Sequence, residues 1–199
     1  MSGDVATDGF FDRRSLVKTL LKDRGDALVV GGLGAATWDI RAAGENPLNI
    51  YLWGGMGLAC SIGLGLALAQ PERRVLVMTG DGEMMMGIGS LAAIANAQAK
   101  NLAILVLDNQ AFGETGRQTG LSAGVTDIER MAEGAGIKTT LTVTSPADLA
   151  PLRTLLFQDI GPTFAVAKIA ITDDPLILPT NKGSVIVTDF RRALGVEPA

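Results

Sequence analysis

The sequence predicts an α/β domain built on a doubly wound, mostly parallel sheet with helices on both faces. Three observations carry this. Short apolar or β-branched runs alternate along the chain with longer segments of helical spacing. The strongest runs, at residues 74–79 and 102–107, are close to continuously apolar, as strands covered on both faces must be. Glycine is abundant, 25 of 199 residues, while charged residues make up only 19%, a composition suited either to tight strand-to-helix turns or to a membrane.

The elements follow in order. Residues 15–22 space Leu16, Val17, Leu20 and Leu21 for an opening amphipathic helix. Ala27-Leu28-Val29-Val30 reads as a first strand ending at Gly31-Gly32. Residues 46–71 carry no charge, and 50–69 is long enough on paper to span a bilayer. Gly54-Gly55 divides that stretch into a β-like piece, 50–53, and a helical piece, 56–69. Fourteen residues at ~1.5 Å each give roughly 21 Å, short of a ~30 Å hydrocarbon core. The prediction is therefore a buried helix whose Gly57, Ala59, Ser61, Gly63 and Gly65 allow close packing on a sheet. Strand 74–79 runs into Gly80-Asp81-Gly82 and one helix over about 83–99. Strand 102–107 ends at Asp108-Asn109, and residues 110–125 form a glycine-punctuated connection long enough to be functional. A helix over 126–134 with Thr126 or Asp127 at its N-cap follows. Then come strand 140–143, helix 146–157 capped by Ser145 with Pro146 at its first position, and strand 163–169. Residues 173–179 read as irregular, and 187–194 as a closing helix. No linker or repeat interrupts the chain, so residues 1–199 are expected to form a single domain.

Composition excludes several chemistries. There is no histidine and one cysteine, so the chain supplies no Ser-His-Asp triad, Cys-His pair, His-liganded zinc site or iron–sulfur cluster. A net charge of −4 without clustered Lys and Arg argues against nucleic-acid binding. Residues 1–11 lack the apolar core of a secretory signal, and a cytoplasmic location is expected. Catalysis has to come from carboxylates, amides, hydroxyls or a cofactor.

In open α/β sheets, ligands bind beyond the carboxyl ends of the strands. Asp81 and Asn109 end consecutive strands joined by one crossover, which should bring both to the same sheet edge. Gly80-Asp81-Gly82 opens a helix, where backbone N–H groups suit a phosphate, yet a carboxylate there would repel it. A divalent cation between them removes the conflict. Mg²⁺ takes about six oxygen ligands, and Asp81, Asn109 and one loop carbonyl would supply a partial set. No Gly-x-x-x-x-Gly-Lys-Ser/Thr run is present, against an ordinary P-loop nucleotide site. Each residue also has a plainer reading. Asp81 could cap its helix, Asn109 could occupy a left-handed turn, and Met56 could fill core. Met84, Met85 and Met86 read as packing, Phe112 as a loop anchor, and Cys60 as a small buried apolar residue. Glu114, Thr115, Arg117, Gln118 and Thr119 could be solvated loop.

Gly80-Asp81-Gly82, 26 further residues and then Asn109 resembles the thiamin-diphosphate motif, and Trp53-Gly54-Gly55-Met56-Gly57-Leu58-Ala59 is similar to the segment that cups the aminopyrimidine. With Asp108-Asn109-Gln110-Ala111-Phe112-Gly113-Glu114-Thr115-Gly116, the chain looks like the β subunits of sulfopyruvate decarboxylases and the matching half of phosphonopyruvate decarboxylases. The resemblance implies a diphosphate-binding fold with thiamin diphosphate and Mg²⁺ as cofactors. Asp81, Asn109 and the Ala111 carbonyl would hold the metal. Amides of Gly82 and Glu83 would hold the diphosphate, with Gly80, Phe112, Gly113 and the turn from Gly32 to Thr37 as further contacts. The Gly54 carbonyl would bind the 4′-amino group, and Met56 would wedge between the rings, making these two the residues closest to the chemistry. Glu114 and Arg117 are candidates for substrate, since a guanidinium pairs with sulfonate, phosphonate or carboxylate.

Two departures matter. Leu58 stands where phosphonopyruvate decarboxylases tend to show His, and Gly55 where Ser is common. The family's activating Glu belongs to a separate pyrimidine-binding domain for which 199 residues leave no room, so the resemblance implies a partner α subunit and a hetero-oligomer. The expected activity is decarboxylation of a small anionic 2-oxoacid, with acetolactate-type carboligation behind it. An NAD-dependent oxidoreductase is the competing class, because Gly80-x-Gly82 follows a strand and Asp108 ends the next. It requires Gly where Met85 stands and sets Asp81 against a pyrophosphate. A non-catalytic thiamin-diphosphate-binding module is the third reading.

Overall fold

The computed structural model describes residues 10–196; the reading of residues 1–11 as lacking a signal falls mostly outside them. The chain opens with α1 (Arg13–Lys22), capped by Asp12, whose side chain accepts from the Ser15 N–H. Next come β1 (Leu28–Gly31), α2 (Ala35–Ala42), β2 (Asn49–Tyr51), α3 (Ala59–Ala69) and β3 (Val75–Gly80). They are followed by α4 (Asp81–Met86), α5 (Ser90–Ala97) and β4 (Leu102–Asp108). A small hairpin, β5 (Ala111–Phe112) and β6 (Gln118–Thr119), precedes α6 (Ile128–Ala135), β7 (Thr139–Val143), α7 (Leu149–Phe157), β8 (Thr163–Lys168) and α8 (Gly183–Ala193).

Six strands form one parallel sheet in the order β2-β1-β3-β4-β8-β7. Alternating side chains divide it between two cores, the period-two consequence of the pleat. Val75, Val77, Ile104 and Val106 face one side, where α3, α5, α6 and α8 contribute Cys60, Ile94, Ala132 and Phe190. Leu76, Met78, Leu105 and Leu107 face the other, against Leu16, Ile40 and Leu152 of α1, α2 and α7. The predicted doubly wound parallel sheet is therefore observed. Its order reverses between β1 and β3, and at such a switch point the loops leave in opposite directions and open a crevice.

Four local expectations change. The helix expected over 83–99 is two helices, broken after Met86, because Gly87 crosses Gly57 so closely that a Cβ on Gly87 would lie 2.0 Å from the Gly57 carbonyl oxygen. The helix expected from residue 56 starts at Ala59, with Gly55 and Gly57 holding positive φ in the turn before it. That helix is half buried: Ala59, Cys60, Gly63 and Ala67 face the sheet, Gly63 directly over Val77, while Ser61, Gly65 and Leu68 are exposed. The connection 110–125 is ordered by the β5–β6 hairpin and two short 3₁₀ turns. Elsewhere the caps fall as read: Asp127 caps α6, and Ser145 with Asp148 forms a capping box, although residues 146–148 turn as a 3₁₀ segment ahead of α7. Among the described residues no helix is long and apolar enough to cross a membrane.

Candidate functional site

A cavity of about 660 Å³ opens at the carboxyl edge of the sheet, over the β1/β3 switch point. Leu33, Gly34 and Ala35 line it from the β1 side, Gly80 to Glu83 from the start of α4, and Asn109 with Ala111 to Thr115 from the loop after β4. Met56 closes one wall, and Thr172 to Asp174 lie across the rim with Arg117. A second cavity, about 520 Å³, lies between β2 and α8; its Arg41 and Arg192 are each paired with a neighbouring carboxylate, Glu45 and Asp189.

The pairing of β3 with β4 is what brings Asp81 and Asn109 together. Gly80 lies in register with Leu107, so the first residue past each strand reaches the same edge. Asp81 is buried at 4% exposure. Burial pushes its carboxyl up to about 6, Asp108 adds to the shift, and the Ser122 hydroxyl and the amides of Asp81 and Gly82 oppose it. Asn109 Oδ1 accepts from the Ala111 N–H at 3.0 Å, closing a turn that presents Ala111 at the rim. The left-handed residue of that turn is Gln110, at φ 60°, and not Asn109. Gly82 sits against both aromatic and thioether groups: a Cβ there would lie 3.2 Å from the Phe112 ring and 3.8 Å from Met56 Cε.

Of the residues singled out from sequence, Met56, Gly80, Asp81, Gly82, Glu83, Asn109, Ala111, Phe112, Gly113, Glu114 and Arg117 all border this one cavity. Three do not. Thr37 is buried, and its hydroxyl donates to the Gly32 carbonyl at 2.7 Å, so it braces the loop from behind. Gly32 packs over Glu83, whose Oε2 would be 1.9 Å from a Gly32 Cβ, and Leu33 to Ala35 take the facing positions instead. Gly54 is exposed, with no atom within 4 Å of where its Cβ would be. Arg117 has left-handed backbone and pairs with Asp173.

The Glu83 side chain turns inward, away from the role expected of its amide. Its Oε2 accepts from Thr79 Oγ1 at 2.7 Å, while Oε1 has no hydrogen-bond partner. Burial raises its pKa against the pull of Thr79 and the nearby amides of Gly57, Leu33 and Ala59. Cys60 is buried beneath the site and its thiol is pushed up to about 12, chiefly by burial, so it is inert.

Sequence reasoning missed Ser122 and Lys168. Ser122 Oγ lies 3.1 Å from Asp81 Oδ2 and 2.7 Å from Asp108 Oδ1. Lys168 Nζ donates to Asp108 Oδ2 at 2.5 Å. Asp108 and Lys168 are cross-strand partners on β4 and β8, a pairing that no local signal announces.

The donor chemistry fits a hard cation beside a phosphorylated ligand. One carboxylate, one amide oxygen and a loop carbonyl are hard oxygen donors, and no group of three His, Cys, Asp or Glu able to hold a metal occurs among the described residues. A site of this kind therefore needs oxygens from its ligand to complete the coordination of Mg²⁺. Asn109 keeps a second lone pair on Oδ1 for such a cation. Fold and cavity together fit an α/β domain that binds a diphosphate cofactor, the cavity lying at the topological switch point.

Comparison with known proteins narrows the class. Residues 31–166 match the thiamine pyrophosphate enzyme family, C-terminal TPP binding domain, and the chain belongs to that family. It is 36% identical over 131 residues to sulfopyruvate decarboxylase subunit beta of Methanocaldococcus jannaschii, covering 65% of this chain and 69% of that one. It is 39% identical over 136 residues to sulfopyruvate decarboxylase of Methanosarcina acetivorans, covering 68% of this chain but only 35% of that longer protein. An X-ray structure assigned to a thiamin diphosphate-dependent enzyme of Mycobacterium smegmatis superposes with a TM-score of 0.69 at 23% identity, covering 81% of this chain and 32% of that one. That last likeness supports the fold.

Proposed function

We propose that this chain is the diphosphate- and Mg²⁺-binding subunit of a thiamin-diphosphate-dependent decarboxylase acting on a small anionic 2-oxoacid. One observation carries the reading: Asp81 and Asn109, from adjacent strand ends, meet at a single cavity together with Ala111 and Gly82. In this reading Asp81, Asn109 and the Ala111 carbonyl hold Mg²⁺, while the amides of Gly82 and Glu83 at the start of α4 hold the diphosphate. Met56 orients the rings from the cavity wall, and Phe112 excludes water beside them. Thiamin diphosphate, when bound, supplies the electron sink that a 2-oxoacid needs to lose its carboxylate. Arg117 would leave Asp173 to receive the substrate's anionic group.

A carboxylate for the pyrimidine ring comes, in this reading, from a partner subunit. Two findings support that: relatives of similar size carry the designation subunit beta, and a relative named without a subunit designation is far longer. Calorimetry of the chain with thiamin diphosphate, with and without Mg²⁺, tests the cofactor site. Metal-dependent binding that Asp81→Ala abolishes is expected; NADH binding instead would overturn it. Mass spectrometry of co-purifying protein should identify the partner. Full-rate decarboxylation by the isolated chain would refute the need for one.

A further inference from the structure

The two buried carboxylates at the carboxyl edge are not equivalent. Ser122 Oγ bridges Asp81 Oδ2 and Asp108 Oδ1, so these two oxygens lie no further apart than the two contacts laid end to end. Asp108, however, also receives Lys168 Nζ on Oδ2 at 2.5 Å and the Gln110 N–H on Oδ1 at 3.0 Å. A serine hydroxyl has one proton and can donate to one acceptor at a time, and its shorter contact is to Asp108. Asp108 is thus fully compensated: an ammonium on one oxygen, an amide and a hydroxyl on the other, at 1% exposure. Among the described residues Asp81 has no cationic partner, and it borders the cavity, whereas Asp108 does not.

We infer that Lys168 is a specificity-determining positioning residue: by sequestering Asp108, it leaves the cavity one carboxylate instead of two, so that a divalent cation is held weakly alone and tightly only when a diphosphate completes its coordination. The inference rests on the proposed cation site at Asp81. The physical reason is charge balance. A dication facing two neighbouring carboxylates is neutralised by the protein and gains little from an anionic ligand. Facing one, it keeps a net positive charge that draws the diphosphate in. The ladder fixes the arrangement, because Asp108 and Lys168 are register partners on β4 and β8. Ser122, on the turn after β6, stands between the two acids, within reach of one oxygen of each. The number of carboxylates facing a divalent cation tunes its affinity over orders of magnitude.

The test is Mn²⁺ binding to the full-length chain, followed by electron paramagnetic resonance, with and without thiamin diphosphate. Lys168→Met is compared with Lys168→Arg, which keeps the charge, and thermal unfolding is recorded for each. The wild-type chain should bind Mn²⁺ weakly alone and much more tightly with the diphosphate. Lys168→Met should tighten Mn²⁺ alone by about tenfold or more and shrink the coupling to the diphosphate by a similar factor, and Lys168→Arg should restore both. Lys168→Met affinities within twofold of wild type, or a parallel loss of both affinities with a fall in Tm, would overturn the inference and leave the cation site standing. Absence of Mn²⁺ binding to the wild-type chain under both conditions would overturn the site and this inference with it.

Discussion

Replacing Asp81 by Asn should make the ligand-free chain more stable at neutral pH while removing its response to Mg²⁺. Asp81 is buried, and its carboxyl is pushed from 3.8 to about 6, chiefly by burial and then by Asp108. A raised carboxyl pKa means that the folded state holds its proton more tightly than the unfolded chain does. Stability tied to this group is therefore complete below about pH 4 and is lost as pH rises through about 6. About two pKa units correspond to about 3 kcal/mol at most, at ~1.4 kcal/mol per unit. Asparagine carries no charge to desolvate, and its amide N–H donates to Ser122 Oγ while that hydroxyl donates to Asp108. At pH 8 the ligand-free variant should exceed wild type by about 1–3 kcal/mol, or about 2–10 °C in Tm for a domain of this size. Near pH 4 the two should coincide. Saturating Mg²⁺ with thiamin diphosphate should reverse the ranking at pH 8, because only the carboxylate form gains binding energy. Urea unfolding at pH 4 and pH 8, each with and without the ligands, measures all four quantities. A variant less stable than wild type by the same amount at both pH values would refute the electrostatic account and make Asp81 an ordinary structural acid.

Other substitutions probe separate links in the same chain of reasoning. Gly87→Ala puts a methyl 2.0 Å from the Gly57 carbonyl oxygen and should cost about 3 kcal/mol or more, seen as a lowered Tm together with weaker thiamin diphosphate binding as the Met56 segment is displaced. Arg117→Ala should raise KM for an anionic 2-oxoacid about tenfold, the worth of one charged hydrogen bond, with kcat little changed; steady-state kinetics of the assembled enzyme would show it, and an unchanged KM would remove Arg117 from the site. Leu105→Ala, at a fully buried position on β4, should cost about 2–5 kcal/mol by chemical unfolding without altering cofactor affinity.

Much of the fold and site is legible from sequence because it is local. Residues 102–107 are apolar throughout because both faces of β4 are covered; a strand with one wet face would alternate with polar residues. Gly80-Asp81-Gly82 is a strand end and a helix start within three residues, so the site proposed there can be read without knowing what lies opposite. Asp12 and Asp127 cap helices that begin within three residues of them. From sequence only the second cap is read, at Thr126 or Asp127, because the apolar spacing that marks α1 sets in after Arg13 and Arg14. What escapes depends on distant partners. The break between α4 and α5 arises from Gly57 pressing on Gly87, and nothing near residue 87 forbids a continuous helix. Glu83 lies beside the glycine motif, yet its carboxylate turns inward because Gly32 leaves room for it and Thr79 donates to it.

The sequence alone determined the sheet and set Asp81 and Asn109 at consecutive strand ends, since strand periodicity and strand-end residues are properties of short segments; the cofactor class came from the resemblance of its glycine motifs to a known family. Tertiary structure alone decided how charge is distributed around that pair. Strand order set Lys168 beside Asp108, the hairpin after β4 carried Ser122 between the two acids, and the switch between β1 and β3 opened the crevice above them. Each of these is a contact between segments far apart in the chain, and the field at Asp81 depends on distances through space, which residue spacing does not encode.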